Sequence, residues 1–139
     1  MTILLPYSTI NLKDYDLNVV GVKRCGAIPR WLHSHKDVAD TIRCLADSDM
    51  GLEVGQFLDF EENGIRWAFF VSAPSRYREV TKEAVEQLII HIGHFGYKTI
   101  SISDLFTNSK VNNEFASEMI SLIRNRLGNN TRIDFYGSK

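Results

Sequence analysis

Residues 65–73 constrain the fold more than any other stretch of the chain. Trp67, Phe69 and Val71 alternate there with Arg66, Ala68, Phe70 and Ser72, and towards the end both phases are apolar. A strand with one wet face keeps one polar phase, whereas a strand apolar in both phases is covered on both sides. A sheet with helices on each face is the economical way to provide that cover.

The neighbouring segments supply such a sheet. Residues 54–60 read as a second strand, joined to the first by Glu61-Glu62-Asn63-Gly64, and the Asn-Gly step signals a hairpin. Residues 3–5 and 17–22 read as short apolar strands. Pro29 suits a first helical turn, and Trp31, Leu32, Val38, Ile42 and Leu45 recur at helical spacing, which predicts a helix near 30–47. Thr81 is the expected cap of a second helix with Ala84, Val85, Leu88, Ile89, Ile92 and Phe95 on its apolar face and Gly96 as its stop. Residues 98–103 form a strand with Ile100 and Ile102 in one phase and Thr99, Ser101 and Ser103 in the other. A polar loop over 104–111 leads to a helix over 112–127, carrying Phe115, Ala116, Met119, Ile120, Ile123 and Leu127 and ended by Gly128. Residues 131–136 close the chain as a strand. The order β-β-α-β-β-α-β-α-β predicts an α/β protein, a three-layer α/β/α sandwich with a mixed central sheet. No linker-like stretch divides it, so residues 1–139 are read as a single domain. Ligands in such sheets sit beyond the carboxyl ends of the strands, which here lead into 21–30, 73–80, 104–111 and 136–139.

Charge adds a second pattern. The net charge of −1 argues against whole-molecule attraction to nucleic acid or membrane. The total nevertheless hides a block from 17 to 36 with four cations, Lys23, Arg24, Arg30 and Lys36, and no acid. From 37 to 62 there are eight acids against Arg43. The first block reads either as an anion site or as a solvated surface. Cys25 and Cys44 do not make a disulfide framework, and the chain shows no signal peptide or membrane-length apolar run, so a reducing cytoplasm is the expected location. His33 and His35 with the two cysteines match no zinc spacing, and no metal or other cofactor is expected. His91 and His94, three apart on one helix, read as a metal pair or, for His91, as a semi-buried flank.

Four stretches, in order, resemble the macro domain, the fold that binds ADP-ribose, and within it the antitoxin and terminal-ADP-ribose-glycohydrolase branch. Val20-Gly21-Val22-Lys23-Arg24-Cys25-Gly26-Ala27-Ile28 is similar to the first Gly-rich loop, usually V-G-x-x-G-x-G-I-A. Val54-Gly55-Gln56-Phe57 matches the start of the strand after the next helix. Ala73-Pro74-Ser75-Arg76-Tyr77-Arg78 resembles the F-P-T-K-R segment. Lys98-Thr99-Ile100-Ser101-Ile102, with the loop and helix after it, resembles the strand that ends in G-C-G-x-G-G. The resemblance implies a cleft in which Gly-rich loops turn backbone N–H groups towards a diphosphate, a use of clustered amides and helix N-termini that favours anions generally.

The departures from that pattern bear on activity. Arg24 stands where the first Gly of the G-x-G pair usually lies, either donating to phosphate or filling the pocket. Leu105-Phe106-Thr107 falls at G-C-G, and Ser109 falls where the branch can carry an acid. Arg76, with Ser75 as the alternative register, takes the place of the branch's catalytic lysine. A guanidinium stays protonated and cannot act as that amine. The resemblance therefore implies recognition of an ADP-ribose-related or other nucleotide-type ligand, free or on an ADP-ribosylated macromolecule, without hydrolase activity and with no catalytic residue: a pseudoenzyme. The candidate ligand-binding set is Asn18, Gly21, Arg24, Gly26, Ala27, Ser75, Arg76, Thr107, Asn108 and Ser109. Tyr77, Phe106 and Tyr136 are candidates to stack on an adenine. Two alternatives stay open: a hydrolase with a rearranged set such as Asp104 with Asn18, and an antitoxin-like interaction module with a filled cleft and a protein partner.

Overall fold

Strands and helices alternate in the computed structural model as the hydrophobic pattern requires. Residues 5–6, 10–22, 30–47, 57–71, 78–103, 113–128 and 131–137 are described. In chain order the elements are β1 (Leu5–Pro6), β2 (Leu17–Val22), α1 (Lys36–Asp47), β3 (Phe57–Glu62), β4 (Ile65–Val71), α2 (Arg78–Phe95), β5 (Thr99–Ser103), α3 (Asn113–Leu127) and β6 (Arg132–Gly137). Short 3-10 turns lie at Leu12–Asp14 and Arg30–Ser34. The described strands form one six-stranded sheet in the order β1-β6-β5-β2-β4-β3. All neighbours pair in parallel except β3 with β4, whose hairpin turns on Asn63 (φ 53°) and Gly64 (φ 81°). Two successive positive φ values match the right-handed twist of the strands, which is why Asn-Gly serves here.

The expected sandwich is present. On one face Leu17, Val19, Ala68, Phe70, Ile100, Ile102, Ile133 and Phe135 pack with Val85, Leu88 and Ile92 of α2 and Met119 and Ile123 of α3. On the other, Val20, Val22, Trp67, Phe69 and Val71 pack with Leu32 and with Val38 and Ile42 of α1. β4 thus buries both phases, as its sequence demands, and burying one such side chain stabilises by about 1.5–3 kcal/mol.

Three local expectations are corrected. The helix expected over 30–47 is divided: the His35 N–H donates to the Leu32 carbonyl (2.9 Å), a three-residue step, before the Ala39 N–H donates to the His35 carbonyl (3.0 Å). The His35 ring lies edge-on to Trp67 at 5.4 Å between centroids, which seats this joint on the sheet. α2 begins at Arg78, so Thr81 lies inside the helix rather than capping it. Leu45 and Phe95 are 36% and 57% exposed: in the last turn of α1 the partly buried Ala46 packs against the core instead, and Phe95 stacks on Tyr97. β1 is described over Leu5–Pro6, with proline on an edge strand where its missing N–H is tolerated, and residues 3 and 4 of the expected strand lie outside the described residues. Gly96 (φ 67°) ends α2 as expected, its N–H returning to the Ile92 carbonyl at 3.1 Å.

Candidate functional site

Parallel pairing brings the carboxyl ends of β2, β4, β5 and β6 to one edge of the sheet, at Val22, Val71, Ser103 and Gly137. α2 runs back against these strands. Its last turns lie at the opposite edge, where His91 Nε2 is 3.0 Å from Asp59 Oδ2 and Arg66 Nη1 is 3.3 Å from Asp59 Oδ1. The amino end of α2 therefore belongs to the strand carboxyl edge, where a helix presents N–H groups and a partial positive charge.

The face opposite α2 and α3 changes character across the sheet. Over β4 and the end of β2 it is apolar, but the two rows crossing from β2 to β6 carry Asn18, Ser101 and Asp134, then Val20, Ser103 and Tyr136. Asn18 Nδ2 donates to the carbonyls of Leu12 (3.0 Å) and Arg66 (3.3 Å), and its Oδ1 accepts from Ser101 Oγ (2.6 Å). The Tyr15 hydroxyl donates to Asp134 Oδ2 (2.6 Å). Its single proton being so placed, the Tyr136 hydroxyl at 2.7 Å is the donor to Tyr15. Arg132 Nε and Nη2 both reach Asp134 Oδ2, at 3.2 and 2.9 Å. Burial, then the bonds to Asp134 and Tyr136, push the Tyr15 hydroxyl far above the ordinary tyrosine range. Asp16 Oδ2 accepts from the N–H groups of Lys98 (2.9 Å) and Thr99 (3.3 Å), so residues 12–16 are strapped across the amino ends of β5 and β6. Ser103 differs: it is fully buried, and its Oγ has no hydrogen-bond partner among the described residues.

Of the candidate ligand-binding residues, Arg24, Gly26, Ala27, Ser75, Arg76, Thr107, Asn108 and Ser109 lie outside the described residues, as do Cys25, Tyr77, Asp104 and Phe106. Gly21 lies within β2, opposite Phe70, next to the strand's last residue. Asn18 is near the other end of β2, fully buried, with its amide committed to protein groups. Its polar atoms hold the strap and β5. Tyr136 is 5% exposed, edge-on to Tyr15 and bonded to it, so it leaves the adenine-stacking set. His91 is the semi-buried flank, paired with Asp59 and packed on Phe95 at 4.7 Å. Among the described residues no group of three or more His, Cys, Asp or Glu is placed to hold a metal ion, and no helix is long and apolar enough to cross a membrane. The strap and its tyrosines were not anticipated. The signal for them was the hydroxyl phase of Thr99, Ser101 and Ser103 in a strand whose place in the sheet is internal.

No family model matches the chain, and no curated protein matches it. Solved structures do. The macrodomain of Mycobacterium tuberculosis DarG superimposes with a TM-score of 0.70 at 13% identity, covering 94% of this chain and 95% of that one. The macrodomain of Thermus aquaticus DarG gives 0.65 at 14% identity, covering 91% and 93%. The Oceanobacillus iheyensis macrodomain mutant D40A gives 0.66 at 8% identity, covering 89% and 77%. At these identities the likeness is one of fold, and the fold is that of a macro domain.

Proposed function

We propose that this chain, with its macro-domain fold, binds an ADP-ribose-related or other nucleotide-type ligand at the carboxyl edge of the sheet and does not hydrolyse it. The observation that carries the reading is the gathering of Val22, Val71 and Ser103 at one edge: the segments holding Arg24, Gly26 and Ala27, then Ser75 and Arg76, then Thr107, Asn108 and Ser109, all depart from it. Arg24 with Gly21, Gly26 and Ala27 would hold the diphosphate from one side and Thr107, Asn108 and Ser109 from the other. Arg76 would stand near the distal ribose. The non-catalytic part rests on Arg76, whose guanidinium cannot supply the deprotonated amine that the related chemistry needs. The rearranged hydrolase built on Asp104 with Asn18 loses support, since Asn18 is buried with its amide spoken for.

Calorimetric titration with ADP-ribose is expected to show saturable binding, weakened by Arg24→Ala. No heat and no chemical-shift change at millimolar ligand would sink the binding reading. Incubation with ADP-ribosylated protein or DNA is expected to release no ADP-ribose above a protein-free control, and release would contradict the non-catalytic part.

A further inference from the structure

Two serines on one face of β5, two residues apart, are treated differently by the fold. Ser101 Oγ donates to Asn18 Oδ1 at 2.6 Å and belongs to the internal network. Ser103 is equally buried, at 0% exposure, yet its hydroxyl has no partner among the described residues. Its neighbours across the sheet do not supply one: Val20 on β2 is apolar, and the Tyr136 hydroxyl on β6 is bonded to Tyr15 and makes no hydrogen bond with Ser103. A buried hydroxyl left unmet destabilises a fold, and alanine or valine would serve such a position better. Ser103 is also the last residue of β5, at the edge where the strand ends converge. It sits in the seam between the apolar cover of α1 over β2 and β4 and the tyrosine cover over β6.

We infer that the Ser103 hydroxyl is a ligand-binding group, reserved to hydrogen-bond an oxygen of the ligand at the carboxyl edge of the sheet. This rests on the reading that a nucleotide-type ligand binds at that edge. The ligand chemistry it selects is a phosphate or ribose oxygen reaching the sheet itself, in addition to whatever the loops hold.

The test pairs Ser103→Ala with Ser101→Ala and measures ADP-ribose affinity by calorimetry and melting temperature without ligand. Ser103→Ala is expected to weaken binding roughly 3- to 10-fold, as loss of one neutral hydrogen bond does, with the ligand-free melting temperature unchanged or raised. Ser101→Ala is expected to lower the melting temperature and leave affinity within about twofold. Titration with ADP locates the oxygen: a matching loss assigns it to the shared adenosine ribose or diphosphate and a loss confined to ADP-ribose to the distal ribose, both upholding the inference. Unchanged affinity in Ser103→Ala overturns it, as does a melting temperature that falls as far as in Ser101→Ala. Should the alanine variant fail to accumulate, Ser103→Cys, similar in size and a weak donor, gives the same two readouts. Absence of ADP-ribose binding by the unmodified protein is a distinct result, which removes the functional reading and this inference together.

Discussion

The two faces of the sheet are built on different principles. Beneath α2 and α3 every strand from β4 to β6 contributes apolar side chains, and the packing there asks only for volume and shape. The opposite face is apolar over β4 and the end of β2 but polar from Asn18 at the start of β2 across β5 and β6, where Asn18, Ser101, Tyr15, Asp134 and Tyr136 each depend on a named partner. An apolar layer tolerates any neighbour of suitable size, whereas a buried polar layer holds only if its hydrogen bonds are met. A position in the polar layer whose bond is not met internally, Ser103, therefore stands out as a binding group would.

This contrast can be broken by substitution. Phe70→Ala, in the α2/α3 face and fully buried, is expected to lower stability by about 3–5 kcal/mol in denaturant unfolding. A loss below about 1 kcal/mol would mean that this face is not the close-packed layer described. On the polar side, Asn18→Leu leaves the Leu12 and Arg66 carbonyls and the Ser101 hydroxyl without their partner, at an expected loss of about 2–3 kcal/mol despite the added apolar surface. A gain in stability would show the polar row to be dispensable.

Tyr15→Phe removes a donor to Asp134 and an acceptor for Tyr136, with an expected loss of about 1–2 kcal/mol at neutral pH. It also carries a pH signature. Folding raises the proton affinity of the Tyr15 hydroxyl, so the folded protein keeps a proton that the unfolded chain releases above about pH 10. The contribution of Tyr15 is complete below that pH and is lost as pH rises above it. Tyr97, raised first by burial and then by the Asp59 charge, acts in the same direction. Stability measured from neutral to strongly alkaline pH should fall less steeply in Tyr15→Phe than in the unmodified protein, and parallel curves would place Tyr15 outside the buried network. The smallest effect belongs outside both layers: Ile90→Ser, at a side chain 57% exposed on α2, should stay within about 0.5 kcal/mol.

Much of the fold was legible because its signals are local. The double apolar phase of 65–71 required cover on both faces, the Asn63-Gly64 step required a hairpin, and the 3.6-residue recurrence of Val85, Leu88 and Ile92 required a helix. The misreadings have a common source. Leu45 and Phe95 continue the helical stripe in sequence, but α1 packs the partly buried Ala46 against the core in its last turn and α2 stacks Phe95 on Tyr97, contacts that the pattern does not encode. Asn18 and Tyr136 are candidates for a ligand in sequence because polar and aromatic residues near strand ends often are, and the fold bonds each to a residue far away in the chain, Asn18 to Ser101 and Tyr136 to Tyr15.

By itself, the sequence determined the layers: the periodicity of apolar residues states which elements form and that the sheet is covered on both sides, since that information lies in residues a few positions apart. It also placed four cations and no acid between 17 and 36, around the end of β2. Only the tertiary structure decided which polar side chains are used up inside the fold and which is left over. That choice depends on pairs such as Tyr15 with Asp134, 119 residues apart. Hydrogen-bond satisfaction is a property of a place in space, and parallel pairing of β2, β5 and β6 is what brings Asn18, Ser101, Ser103 and Tyr136 to theirs.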